Sequence, residues 1–382
     1  MKQSVPSTRS RRLRALDESI RAARDPIDAA CVRAERAALL VRHGFNDLAR
    51  DDLAALHRQA FQVSSPRLSA WLQFAEGIAS YFGDLANRPV DKLLGAAELA
   101  AEAGETRLQA LAQAWLAQLA YVRHDLQALV AHARASQGLV GPTNHDPTHH
   151  GPRFRLAMVV GMAHDFAGAS ALAQGWYRTA HRQATLDGDE ASLSALLYNM
   201  AERRAVRLRH GHLREPEAPV SRTLIGVESV THYDSAMGSS AWADLTPLLR
   251  AQLLVAQGQY AEARELFVQH LPNALGYILA QHGAGMIADL AWCCASQDEP
   301  EQARNHAGRA VAQLGERCDI DDRAATHTRL AQIFGRLGDT ALQGEHAQCA
   351  ADCWAEFERQ QGEWRDALVA AALEQPPADW LA

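Results

Sequence analysis

Apolar residues recur at three- and four-residue spacing in Ala/Leu-rich segments along almost the whole chain, the period of an amphipathic helix. Each segment closes on a Gly or Asp, at Gly44, Asp84, Asp125, Asp165, Gly211, Gly258, Asp298 and Gly338, with successive spacings of 40, 41, 40, 46, 47, 40 and 40 residues. A beat of this length predicts stacked helical hairpins, because one hairpin cannot bury its apolar face alone. Strand-like alternation is missing and Ala dominates the periodic positions, so the fold class is all-α.

The pattern predicts eight helix pairs, over 26–62, 65–103, 105–140, 151–187, 189–237, 243–273, 275–315 and 320–360. Asp25-Pro26 and Ser65-Pro66 each supply an N-cap followed by Pro at the first helical position. Residues 1–24 read as a basic, disordered arm leading into the first helix, with Arg9, Arg11, Arg12 and Arg14 close together. The repeat array covers 25–362, and 363–382 form a capping helix and tail ended by Pro376-Pro377. Two irregular linkers interrupt the array: a Pro/Gly-rich loop at 141–152 and a long segment at 211–242, within which 220–233 can add a helix.

Small residues stand seven positions before five of the markers, at Ala37, Gly77, Ala251, Ala291 and Ala331, and Leu40, Leu254, Cys294 and Phe334 follow four of these by three. Ala49, Ala263 and Ala303 each lie five residues after a marker. Small side chains there allow close helix approach, and the neighbouring apolar one fills the remaining gap.

These positions resemble the tetratricopeptide (TPR) repeat superfamily. Gly258-Gln259-Tyr260-Ala261-Glu262-Ala263 with Phe267 is similar to its Gly-x-Tyr-x-x-Ala-x-x-x-Phe core, and Leu330-Ala331-x-x-Phe334 to its first-helix element. The period is longer than that family's 34 residues and the closing Pro is mostly absent. The resemblance covers about 26–360 and implies an α-α superhelix of about eight hairpins with a capping helix. It is nearest to degenerate repeats of bacterial regulatory and signalling proteins, which sense a peptide or protein partner.

The 382 residues carry 38 Lys+Arg against 45 Asp+Glu, a formal charge of −7, which disfavours general nucleic-acid affinity. The longest apolar stretches, such as 156–163, are too short to span a bilayer, and no secretory segment follows the start, so a cytoplasmic protein without membrane attachment is expected. Six cysteines (Cys31, Cys293, Cys294, Cys318, Cys349, Cys353) fit reduced, buried positions better than a disulfide framework.

Candidate chemistry is sparse. His124-Asp125, His145-Asp146 and His164-Asp165 invite comparison with metal phosphohydrolases, yet two coincide with repeat turns, where Asp caps a helix. The loop His145-Asp146-Pro147-Thr148-His149-His150 and the face formed by His346, Cys349 and Cys353 offer zinc-type or thiophilic ligands. They define an alternative function, a metal-dependent hydrolase or a metal or redox sensor. Cys318-Asp319-Ile320-Asp321-Asp322 is acidic but lacks the Gly and distal Glu of a calcium loop. Neither a phosphate-binding Gly-rich loop nor a nucleophile elbow is present, so no enzyme activity and no cofactor are expected.

Polar and aromatic positions on first helices are the best binding candidates, since those helices line the inner face of repeat arrays. Asn199, Arg203 and Arg207 form a polar stripe beside Tyr198, and Trp115, Gln118 and Tyr121 an aromatic wall. Asn with Arg can hold a peptide backbone or carboxylate through bidentate bonds. The sequence therefore predicts a non-enzymatic scaffold that binds a protein or peptide in a concave groove.

Overall fold

The computed structural model describes residues 10–83, 89–142, 146–215, 245–278, 282–315 and 318–381. Among them are sixteen α-helices, two short 3-10 helices and no strand: the protein is all-α. In chain order these are α1 (Arg11–Ala22), α2 (Pro26–Arg42), α3 (Asn46–Gln62), α4 (Pro66–Gly83), α5 (Pro89–Glu102), α6 (Thr106–Val122), α7 (Leu126–Val140) and α8 (His150–Phe166). There follow α9 (Ser170–Asp187), α10 (Glu190–Arg214), α11 (Leu245–Ala256), α12 (Tyr260–Ile278), α13 (Gly283–Ser296), α14 (Pro300–Gln313), α15 (Ile320–Arg336) and α16 (Thr340–Ala370).

The described residues divide into two compact units, the first holding 10–196 with 364–381 and the second 197–215 with 245–363, less the gaps above. In the first unit α2/α3, α4/α5, α6/α7 and α8/α9 pack as hairpins, and α2 packs on α4 and α6 on α8. The second unit repeats this with α11/α12 and α13/α14, α11 packing on α13 and α13 on α15. A core running through α2–α6, with Trp71, Phe74, Ile78 and Leu116, holds the first unit, and one through α11–α15, with Phe267, Ile287 and Phe334, the second.

One turn closes most first helices. At Gly44, Gly258 and Gly338 the chain takes φ of 82°, 75° and 76°. The next amide then reaches back to a carbonyl five residues earlier: Phe45 N–H to Leu40 O at 2.9 Å, Gln259 to Leu254 at 2.9 Å, Asp339 to Phe334 at 2.9 Å. This is the Schellman closure, which satisfies carbonyls the helix end leaves open and needs one left-handed residue. His124 and Asp298 fill the same left-handed position without being Gly, at φ 54° and 58°. At Gly44, Gly258, Asp298 and Gly338 the sequence marker is the left-handed residue of this turn, and Asp125 follows it by one. The packing residues behave alike: Ala37, Gly77, Ala251, Ala291, Ala49, Ala263 and Ala303 are buried, and Ala331 is half-buried. At Gly77 a Cβ would sit 2.9 Å from Leu93 Cγ, so α4 and α5 meet there because the side chain is missing.

Several boundaries differ from expectation. Residues 11–22, assigned to a disordered arm, form α1, because Ser10 caps it and Arg12 is tied by carboxylates. Gly211 does not close a helix but lies inside α10. A mid-helix Gly costs only ~1 kcal/mol relative to Ala, and buried Arg209 and Leu213 anchor the helix on either side. Asp165 lies within α8, the turn falling at Gly168, φ 74°. The 141–152 linker is shorter than expected: a 3-10 turn occupies Pro147–His149 and α8 starts at His150. Glu363 starts no separate capping helix, since α16 runs unbroken to Ala370. Residues 275–278 belong to α12 and not to the next pair. The Asp84 marker, His145 and the helix expected over 220–233 lie outside the described residues.

Candidate functional site

The first unit contains a cavity of about 50 Å³, partly open to solvent. Its walls come chiefly from the successive first helices: Glu35, Leu39 and Arg42 of α2, Phe74 and Ile78 of α4, Arg107, Leu111 and Trp115 of α6, and Phe154 and Arg155 of α8. Arg12 of α1, Asp187 at the end of α9, and Asp189 and Ser192 at the start of α10 complete it.

Its charged groups are held by two carboxylate hubs. Glu35 accepts from Arg12 Nη2 at 2.6 Å and from Arg107 through both Nη atoms, at 2.5 and 2.9 Å. Burial alone would raise the Glu35 carboxyl, but Arg107 and Arg12 outweigh it and hold the group down to about 2. Arg107 also donates through Nε to Thr148 O at 2.9 Å and lies over the Trp71 ring at 5.4 Å. Asp189 is the second hub. It caps α10 by accepting from Ser192 N–H at 2.9 Å, and takes Arg42 Nη1 at 2.8 Å and the Ser192 hydroxyl at 2.8 Å. Burial opposes ionisation here too, and Arg42 with the Ser192 bonds again holds the carboxyl down to about 2. Asp187 has weaker support, Arg12 Nη1 at 3.5 Å, and burial shifts it upward.

Outside the cavity, Glu190 ties α1 to the start of α10. Its carboxylate accepts from Ser10 Oγ at 3.0 Å, from the Arg11 N–H at 3.1 Å and from Arg11 Nε at 3.1 Å. It therefore faces the amino ends of both helices, where a negative charge is favoured.

Arg155 stands apart. It is 4% exposed, and its guanidinium carbon lies 3.6 Å from the centre of the Trp115 ring. Among the described residues its Nε has no hydrogen-bond partner, and its one bonded neighbour is the Met158 sulfur, 3.9 Å from Nη1. Burial, and then repulsion from Arg42, push it down to about 9, so it stays charged at neutral pH. Arg153, one turn-face away on α8, is equally buried but donates to the Asp146 and Val140 carbonyls, at 3.0 and 3.4 Å.

Of the residues singled out from sequence, Trp115 lines this cavity, while Gln118 and Tyr121 are buried in the same helix. Tyr121 packs against Trp364 at 5.9 Å between ring centres. Tyr198, Asn199, Arg203 and Arg207 belong to the second unit. There Tyr198 and Asn199 are half-buried, Arg207 is exposed, and Arg203 is paired bidentately with Glu202 at 2.5 Å. Sequence reasoning missed Arg12, Glu35, Arg42, Arg107, Arg155, Asp187 and Asp189. Arg155 carried a readable signal, because it directly precedes the apolar stretch 156–163.

The metal-ligand candidates have other partners. Asp146 caps the short 3-10 helix through Thr148 at 2.8 Å, and His150 contacts Gln183 at 2.7 Å. His346 meets His327 at 2.9 Å between Nδ1 atoms and stacks on Phe334, and burial raises the Cys353 thiol. Among the described residues no three His, Cys, Asp or Glu side chains gather as a metal-ligand set, and no helix is long and apolar enough to cross a membrane. Set against known proteins, the chain matches no family model and no curated sequence.

Proposed function

We propose that the protein is a TPR-like α-solenoid that binds a protein or peptide on the inner face of its first helices, without enzymatic activity and with a regulatory role. One observation carries the reading: the cavity of the first unit is walled chiefly by α2, α4, α6 and α8, while α3, α5 and α7 contribute nothing and α9 contributes only its last residue, Asp187. A stack of hairpins creates a continuous surface of that kind, and such surfaces recognise extended ligands. The fixed charges favour binding over catalysis. Glu35 and Asp189 are too acidic to serve as proton acceptors near neutral pH. Asp187 is shifted upward, but among the described residues the one hydroxyl lining the cavity, that of Ser192, already donates to Asp189.

Site-specific photo-crosslinking tests this. A benzophenone side chain at Leu111, on the cavity wall, is expected to capture a specific protein or peptide in cells. The same group at Phe61, 94% exposed on α3, is expected not to. Equal capture from both positions, or capture from Phe61 alone, would refute the assignment.

A further inference from the structure

The cavity lining holds four cations, Arg12, Arg42, Arg107 and Arg155, and three anions, Glu35, Asp187 and Asp189, a surplus of one positive charge. The surplus is localised. Arg12 and Arg107 bind Glu35, and Arg42 binds Asp189, whereas Arg155 makes no ion pair among the described residues. Its flat face is occupied by Trp115, which compensates part of the lost hydration through the ring's negative face. Stacking covers the flat face only; of the N–H groups along the edge, Nε has no partner among the described residues and Nη1 has the Met158 sulfur, a weak acceptor. A buried guanidinium edge without an acceptor is costly, so its retention calls for an anion that arrives from outside the fold.

The geometry points to a carboxylate-binding site: we propose that the cavity takes one carboxylate of a peptide ligand in bidentate contact with the Arg155 guanidinium. The planar fork of Arg matches a carboxylate's two oxygens. A single negative charge balances the surplus of one, whereas a dianionic phosphate would add repulsion from Asp187 and Asp189. The space inside the cavity, about 50 Å³, is enough to admit a terminal carboxylate group. Only the source of the carboxylate rests on the peptide-binding reading above; the anion site does not.

Calorimetric titration of the full chain separates the two. The probes are pentapeptide pools without acidic residues and with free C-termini, amidated pools carrying one Glu, amidated pools without acid, sodium acetate and inorganic phosphate. Either carboxylate-bearing pool is expected to bind at least tenfold more tightly than the pool without one. That advantage should vanish in Arg155→Met and fall partway in Arg155→Lys, which keeps the charge but loses the fork. Thermal melting of both variants confirms that they fold. Acetate binding that depends on Arg155, with no response to any peptide, would keep the anion site and remove the peptide. Equal binding of all pools, or tight binding that survives Arg155→Met, would keep the peptide and overturn the site. Phosphate binding tighter than acetate, or no binding by any probe, would also overturn it.

Discussion

Both units bury arginines beside carboxylates, and the two clusters are built to opposite ends. In the second unit Asp289 of α13 lies between Arg209 of α10, which donates through Nε at 2.7 Å, and Arg329 of α15, which donates through Nε at 2.9 Å. Side-chain exposures of 5%, 1% and 2% leave this triad essentially dry. Arg329 also donates to Gln332 at 2.7 Å, and Arg209 reaches Asp322 at 3.6 Å. Even the backbone is fitted to it: a Cβ on Gly285 would lie 2.5 Å from Asp322 Oδ1. In this triad each arginine has a carboxylate. The cluster of the first unit surrounds a cavity, and there Arg155 feels Asp189 at a distance but makes no ion pair among the described residues. A closed network fixes helices against each other, while an open one keeps a charge in reserve for a ligand.

The largest consequence concerns the closed network. Asp289→Ala strands two buried guanidinium groups, and breaking a buried pair in this way costs about 3–5 kcal/mol. Urea denaturation followed by tryptophan fluorescence should show that loss; a change under 1 kcal/mol would mean the triad is incidental. Glu35→Gln in the open cluster should cost less, about 2 kcal/mol. Glu35 is 16% exposed, and water can reach the arginines it releases.

Acidity separates two carboxylates, one in each unit, that respond with opposite sign: Glu35 and Asp322. Glu35 sits at about 2 when folded against an ordinary 4.5, so its contribution is complete above about 4.5 and is lost as pH falls toward 2. In the second unit burial raises Asp322 to about 6 from 3.8, despite Arg209 and His282, with Asp321 and Asp319 adding to the rise and the Cys318 thiol at 3.6 Å. The folded protein therefore holds that proton between pH 4 and 6 where the unfolded chain releases it, so this contribution declines as pH rises through the window. Asp322→Asn should remove the decline and gain about 2 kcal/mol relative to wild type on going from pH 4 to pH 7. Parallel pH profiles for the variant and wild type would contradict the assignment.

The repeat was legible because its turns and small packing residues are local: Gly44, Gly258 and Gly338 announce a left-handed closure, and Ala263 or Ala303 a close helix approach. Where a helix passes through a would-be stop, as α10 does at Gly211, burial of Arg209 and Leu213 overrides the local signal. The cavity was less legible. Glu35, Arg107 and Asp187 lie far apart in the chain and acquire meaning only when α2, α6 and α9 meet. Trp115 was marked as part of a binding wall, yet its stacking partner lies forty residues downstream at Arg155. Charged residues inside Ala/Leu-rich segments give no hint of pairing until stacking order is known, and that order is tertiary information.

The smallest effect is the most discriminating. Arg329→Met leaves Asp289 with one arginine instead of two and should destabilise the protein by about 2–3 kcal/mol. Arg155→Met removes a buried cation without orphaning any carboxylate, since Asp189 keeps Arg42 and Ser192 and Glu35 keeps Arg12 and Arg107. It relieves repulsion from Arg42 and replaces the guanidinium with an apolar chain that still covers Trp115. Against these gains stands the lost cation–π attraction, worth about 0.5–2 kcal/mol. The terms nearly cancel, so the melting temperature of the ligand-free protein should stay close to wild type or rise slightly. A loss as large as that of Arg329→Met would make Arg155 a second structural anchor and erase the distinction between the two clusters. Near-neutral stability is what a residue retained for binding, at some cost to the fold, should display.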